Sequence, residues 1–481
     1  MPDLKEKRGI WKRYVVGAVI VIAAAAAATS VTAFNEVDRL TSAFTGRLEL
    51  GGELAAATPG KPQTILLIGS DRRSKSSRDA RTGSVGKPRS DTMILMRLDP
   101  SKKAIALLSL PRDLKVRVPG HGVDKLNAAY ADGGSKLTLE TIKLFTGLRV
   151  NHVINVDFSG FRAAVSAIGC VYTDVDRRYF NDNSQGGQQY ATIDIQPGYQ
   201  KLCGQDALDY VRYRHTDNDI IRAARQQDFL RQAKAQVGVG RLLGNQRKLI
   251  RIVSKYTRSD IKGRKQVLSL LKLAVGSIGH PIREIHFPAH IGKSYVTARA
   301  ASVHRVTRLF LGVESSKGPR GPAQPRPSRH RRHRSAGLVA ISAGGKQQAL
   351  TLARRLRGFR IYYPRLAVAG STFSYASPRP YRICGPHHGH CYQSYRIVLS
   401  RDLVGEYYGL QGTTWRDPPI LDQPNQTRVY RGRKMELFYD GDRLRLVAWR
   451  EKDAVYWVSN TLLQTLSKRQ MLDIARAAKP L

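Results

Sequence analysis

Two aspartates and two arginines fall at the ends of three consecutive apolar runs, and those residue types can make a phosphate site. Asp71 closes the run TILLIGSD, Arg89 and Asp91 open RSDTMILMRLDP, and Arg112 follows LLSLP. If the three runs form an antiparallel meander, these four residues meet at one edge of a sheet. Two readings of that meeting are open. The groups could be surface salt bridges, each contributing little. Or Asp71 and Asp91 could hold Mg²⁺, which takes carboxylate oxygens and shares its coordination with phosphate. In that second case Arg89 and Arg112 would grip the phosphate oxygens with their planar forks.

A second cluster lies further along, in ALDYVRYRH and the stretch behind it. If Arg212-Tyr213-Arg214 is extended, Arg212 and Arg214 point to one face. Asp217-Asn218-Asp219 is a helix-cap signal, and offsets of 3, 4 and 7 place Arg222, Arg225, Gln226 and Phe229 on one stripe of the following helix. The helix start favours an anion. Four arginines turned inward would repel one another unless an anion neutralised them; a solvated basic face is the alternative.

The elements that position these residues can be read around them. Residues 64–68, 92–98 and 104–110 are strands, with Asp99-Pro100-Ser101-Lys102 as a turn. Across 63–312, strand-length runs alternate with helical patterns, which is the signature of one α/β unit. Residues 315–335 hold four Pro, seven Lys or Arg and no acid, and read as an extended linker spanning about 313–336. Residues 337–481 form a smaller α+β unit, helical near 350–356, stranded at 392–399 and 443–450, and closed by a helix at 468–478.

Composition bounds the partners. The chain has 481 residues, with Lys+Arg 80 against Asp+Glu 37, a net charge of +43, and 42% hydrophobic residues. The apolar share supports buried cores, and the positive excess calls for an anionic partner: nucleic acid, phospholipid headgroups or a phosphorylated substrate. Residues 14–34 carry no charge and are long enough to cross a hydrocarbon core about 30 Å thick. Lys5, Lys7, Arg8, Lys12 and Arg13 precede them, so 1–13 is expected in the cytoplasm, 14–34 as a single-pass membrane anchor, 35–62 as a stalk and the rest outside the cell. A cleaved signal peptide ending near Val31-Thr32-Ala33 is the alternative. Either way the bulk is exported, which makes nucleic acid a poor partner. Export also favours disulfides, Cys170 with Cys203 and Cys384 with Cys391. The second pair, with His387, His388 and His390, could instead bind zinc. No Gly-rich nucleotide loop is present.

The pieces TILLIGSD, RSDTMILMRLDP, LLSLPRD, KLNAAYADGG, GQDALDYVRYRH and the DxxRxxRQQ stretch at 219–227 resemble, in order, those of the LytR-CpsA-Psr family of cell-wall glycopolymer ligases. The resemblance covers 63–312. It implies a three-layer α-β-α domain with a mixed central sheet and a groove for a polyprenyl lipid. It implies Mg²⁺ at Asp71 and Asp91, and a pyrophosphate held by Arg89, Arg112, Arg212, Arg214, Arg222 and Arg225, with Lys125 and Gln226 in matching motifs. The implied reaction joins a polyprenyl-pyrophosphate-linked glycopolymer to peptidoglycan, with Arg89 and Arg112 as catalytic groups. One departure is visible: Ile220-Ile221 stands where family members often have Phe-Gly. Two rival functions remain, a membrane-tethered binder of anionic wall polymers and a polyprenyl-pyrophosphate hydrolase.

Overall fold

The computed structural model describes residues 46–70, 88, 90–102, 104–184, 192–213, 217–236, 256–261, 266, 269–270, 273, 282–285, 287–292, 294–312, 337–375, 378–386, 389–401, 405–430, 432–440 and 443–481. The anchor expected at 14–34, the linker at 313–336 and residues 35–45 of the stalk lie outside them, whereas 46–62 join the first unit instead of forming a stalk, with Leu48 and Leu50 buried in its core. Among the described residues no helix is long and apolar enough to cross a membrane.

The first sheet has seven strands: β1 (Gly46–Arg47), β2 (Gln63–Ser70), β3 (Ser90–Asp99), β4 (Ala104–Leu110), β5 (His152–Asp157), β6 (Thr257–Ser259) and β7 (Ile282–Ile285), in the order β1-β6-β5-β2-β3-β4-β7. β2, β3 and β4 form the expected antiparallel meander, while β5 runs parallel to β2 and β7 parallel to β4. The sheet is therefore mixed. Its central strands are apolar on both faces because both faces are covered. Ile65, Ile94 and Leu107 point into one core, and Leu66, Leu95 and Leu108 into the other. Helices α1 (Leu126–Thr146) and α5 (Ala300–Phe310) cover the second face; α2 (Phe158–Ala167), α3 (Gly204–Arg212) and α4 (Asp219–Gln236) cover the first. The turn after β3 is held by Asp99, whose carboxylate accepts from the Ser101 backbone at 3.1 Å.

α1 kinks at Gly133-Gly134 of the KLNAAYADGG motif, where Gly134 has φ 60°. A Cβ on Gly133 would sit 2.5 Å from that of Leu137. Only glycine permits this close bend. The bend matters beneath the candidate site, because Tyr130 before it and Ser135 after it both take hydrogen bonds from Asn155, at 2.7 and 3.1 Å.

Residues 337–481 build an antiparallel sheet of eight strands: β8 (Ser371–Phe373), β9 (Arg379–Cys384), β10 (Cys391–Arg401), β11 (Tyr407–Thr413), β12 (Gln426–Tyr430), β13 (Arg433–Asp440), β14 (Arg443–Arg450) and β15 (Val455–Ser459). α6 (Ser342–Ala353) and α7 (Lys468–Ala477) pack on one face. α7 starts in a capping box between Ser467 and Gln470. The other face meets the first unit. Tyr172 and Tyr199, from the ribbon Val171–Val175 and Gly198–Leu202, share a cluster with Trp415 and Trp457. The Tyr172 hydroxyl donates to the Cys384 carbonyl at 2.8 Å.

Cys170–Cys203 closes that ribbon at the end where Val171 pairs with Leu202. Crosslinking over a separation of 33 residues contributes about 3–4 kcal/mol by the chain-entropy model. Cys384 is bonded to Cys391 across the β9–β10 turn, so both sulfurs are committed to each other rather than to zinc. His390 packs edge-on against Tyr392, with ring centroids 4.6 Å apart; His387 and His388 lie outside the described residues.

Candidate active site

Strand register brings the ends of the three runs together at one edge. Ser70, the last residue of β2, pairs with Ser90 of β3 on one side and with Asp157 of β5 on the other, and Met93 of β3 pairs with Leu110 of β4. Asp71 follows Ser70, Asp91 follows Ser90 and Arg112 comes two residues after β4. Asp71 and Arg89, with the side chain of Asp91, lie outside what the structure describes. Ser70 donates to Asn155 at 3.0 Å, tying this edge to the polar network at the α1 bend.

α4 crosses the same edge. Gln226 donates from Nε2 to Thr92 Oγ1 at 3.0 Å and to the Val211 carbonyl at 3.1 Å; Gln227 donates to Ser109 at 3.2 Å. The bonds to Thr92 and Ser109 span more than a hundred residues of sequence and fix the helix across the ends of β3 and β4. Its first turn is capped by Asn218, whose side-chain oxygen accepts from the backbone of Ile220 and Ile221, each at 3.0 Å. Arg222 lies one turn before Gln226 on the same face and is 3% exposed. Arg112 is buried too, with Nε 3.5 Å from Asp113. Asp113 also takes Lys125 Nζ at 3.0 Å, so it couples these two cations.

Two expected phosphate ligands are engaged inside the protein. Arg212 is not extended: it is the last residue of α3, and its guanidinium pairs with Asp209 at 2.8 Å and lies over the Phe158 ring at 5.5 Å. Burial pushes the Asp209 carboxyl up, with Arg212 opposing that shift. Arg225 has no exposed side-chain surface. It pairs with Asp217 and donates to the Tyr213 carbonyl, inside a cage of Tyr179, Tyr210 and Tyr213. The anion expected to neutralise Arg225 is thus supplied by the chain itself. Arg214 and the Asp219 side chain lie outside the described residues. Residues 222, 225, 226 and 229 are all buried, so the stripe is an internal face and not a solvated one.

The sequence reading passed over Asp113, Asp157, Asp176, Arg177 and Asp209. Asp209 was signalled by its position three residues before Arg212 in a helix. Asp157 caps α2, accepting from Gly160 at 2.7 Å. Arg177 reaches Asp217 at 2.6 Å and could be found only in three dimensions.

Asp176 carries a measurable consequence. Its carboxyl accepts from Tyr179 at 2.5 Å, and burial pushes its pKa up to about 6, against the pull of Arg177. The folded protein therefore holds this proton more tightly than the unfolded chain. Stability from the group is full below the ordinary aspartate pKa of 3.8 and is lost as pH rises through about 6, a cost of about 3 kcal/mol at neutral pH. Asp176→Asn is expected to unfold at a higher temperature than the wild type at pH 7.5. The gap should close as pH falls from 6 towards 4, which melting curves across that range will show.

Residues 20–306 match the family described as the LytR_cpsA_psr family. The polyisoprenyl-teichoic acid–peptidoglycan teichoic acid transferase TagT of Bacillus subtilis is 30% identical over 233 residues, 47% of this chain and 70% of that protein. The probable cell wall biosynthesis protein LcpB of Corynebacterium glutamicum is 37% identical over 170 residues, 34% of this chain and 39% of that protein. A solved structure of the LytR-CPS2A-psr family protein YwtF (TagT) with bound octaprenyl pyrophosphate lipid is 22% identical, covers 55% of this chain and 96% of that one, and has a TM-score of 0.39. The match thus spans over two thirds of TagT but about two fifths of LcpB.

Proposed function

This chain belongs to the LytR_cpsA_psr family, and from that premise we propose that it is a membrane-anchored, extracytoplasmic phosphotransferase joining a polyprenyl-pyrophosphate-linked glycopolymer to peptidoglycan. The observation that carries the reading is the crossing of α4 over the strand ends. Hydrogen bonds from Gln226 and Gln227 to Thr92 and Ser109 bring Arg222 to the strand ends that Arg112 follows, where Ser70 and Ser90, the sequence neighbours of Asp71 and Asp91, pair. The transferase names of relatives support it.

In the proposed reaction a peptidoglycan hydroxyl oxygen bonds to the phosphorus nearest the polymer. The P–O bond to the second phosphate breaks, polyprenyl phosphate leaves and the hydroxyl proton is released. Negative charge spreads over the phosphoryl oxygens in the transition state, and fixed guanidinium groups stabilise it without reorganising. Arg112 and Arg222, both buried, suit that role, with Arg89 two residues before Asp91 in sequence. Asp113 holds Arg112 and Lys125 together, so Lys125 adds charge at the rim. Gln226 orients the helix. Arg212 and Arg225 act through their own carboxylates, shaping the site more than touching substrate.

Mg²⁺ is part of the proposal. Asp71 and Asp91 follow paired residues on neighbouring strands, and their carboxylates are the hard oxygen donors that this ion takes. Bound there, it would offset charge on the pyrophosphate.

The test is to incubate the full chain with lipid-linked donor, peptidoglycan and Mg²⁺ and weigh the products. A joined polymer–peptidoglycan phosphodiester is expected. Free polymer phosphate without joined product would instead mark a hydrolase, and retention of polymer without turnover a binding protein.

A further inference from the structure

Residues 337–481 make contact with α4 at the site-bearing end of that helix. Ile221, next to Arg222, is 1% exposed and packs with Ala224 and Leu463 in a small cluster that bridges the two units. Ile220 and Leu462 border the same cluster. Gly405, at φ 80°, approaches so closely that a Cβ there would collide with Cδ1 of Ile221. The loop before β11 is thus seated directly on the helix, where only glycine fits.

Further contacts continue along the same seam. Arg231, three turns on, pairs with Asp440 of β13 as well as with Asp228. Arg396 of β10 pairs with Asp174 at 3.2 Å, and Trp457 donates to the same carboxylate at 3.3 Å. Tyr407 of β11 lies 5.1 Å from the guanidinium of Arg177, which itself pairs with Asp217. So the second unit touches α4 at its start and again at Arg231, and touches the charge cluster that holds Arg225.

We propose that residues 337–481 are a positioning element for the phosphate site, with Leu463 and Gly405 holding Ile221 and through it fixing Arg222. Leu463 is not itself among the residues expected to meet substrate; its role is carried by the helix it braces. The functional half of this inference rests on the transferase reading, while its structural half does not.

The test compares full-chain Leu463→Ala, Leu463→Met and Val429→Ala, the last at a side chain 67% exposed on β12. Two quantities are read: amide exchange of peptides covering 219–230, and transfer kinetics with lipid-linked donor. Leu463→Ala is expected to raise exchange in the first turns of α4 about tenfold, because it removes packing that closes them. It should lower kcat about tenfold through misplacement of Arg222. Leu463→Met should restore both, and Val429→Ala should change neither. Unchanged exchange in Leu463→Ala overturns the inference, and so does raised exchange with wild-type kcat. A wild type that makes no joined product sinks the transferase reading and the functional half with it. Exchange then decides the structural half alone.

Discussion

Arg222→Ala is expected to lower kcat for polymer transfer by about 10²–10³-fold, the usual effect of removing one preorganised group that stabilises transition-state charge. Arg222 is placed for this by a chain of specific contacts. Asn218 caps the helix start, Gln226 anchors the next turn to Thr92, and the side chain between them is almost fully buried at the strand edge. Arg222→Lys separates charge from shape. Lysine keeps the positive charge but loses the planar fork, so a partial loss of about tenfold is expected. Arg112→Ala should behave like Arg222→Ala, because both groups flank the same edge. Circular dichroism and melting curves establish that the variants fold; product mass and initial rates give the effect. Wild-type rates in folded Arg222→Ala would remove this residue from the site and leave the edge geometry without a function.

The meander, the α4 helix and its cap were readable because local rules decide them. Two-faced apolar runs specify central strands, Asp-Pro-Ser-Lys specifies the turn, and Asn218 precedes a helical pattern. The last strand-like run at 443–450 coincides with β14 for the same reason. Partnership between charges was not readable. Asp217 reads as part of a cap signal, yet its carboxylate turns inward to Arg177 and Arg225, and Asn218 does the capping. Nothing local marks the aromatic cage around Arg225, since Tyr179 and Tyr210 are far apart in sequence. The extended condition set for Arg212 is not met, and the sequence does not decide it, because a helix ending between two arginines has no strong stop signal there; Gly and Pro are both missing from the YRYRH neighbourhood.

The departure Ile220-Ile221 gains a physical sense from the second unit. Ile220 borders the core of the first unit and Ile221 enters the cluster with Leu463. An apolar pair at these positions joins two hydrophobic regions across the start of the arginine helix. Its surroundings explain why bulk is tolerated there: Gly405 contributes no side chain, leaving the space that Ile221 fills.

Asp217→Asn is expected to destabilise the protein by about 3–5 kcal/mol, the typical result of removing one partner from a buried ion pair. The carboxylate serves two guanidinium groups at once, and its side chain, like that of Arg225, has no exposed surface. Tyr179 and Tyr213 lie under both arginines, with centroid distances of 4.6 Å from Tyr179 to each cation. Ring faces attract cations, but only by about 0.5–2 kcal/mol each, which cannot offset two desolvated like charges. Asparagine keeps the shape and one acceptor while removing the counter-charge, so the loss reports electrostatics more than packing. Asp217→Asn combined with Arg177→Met should recover part of the stability, because one of the two uncompensated cations is then gone. Denaturant unfolding of the wild type, both single variants and the double variant closes the cycle. A single Asp217→Asn variant within about 0.5 kcal/mol of wild type would mean that water or the tyrosines already satisfy these arginines. Arg225 would then be free of its internal anion and would return to the set of groups able to turn towards a pyrophosphate.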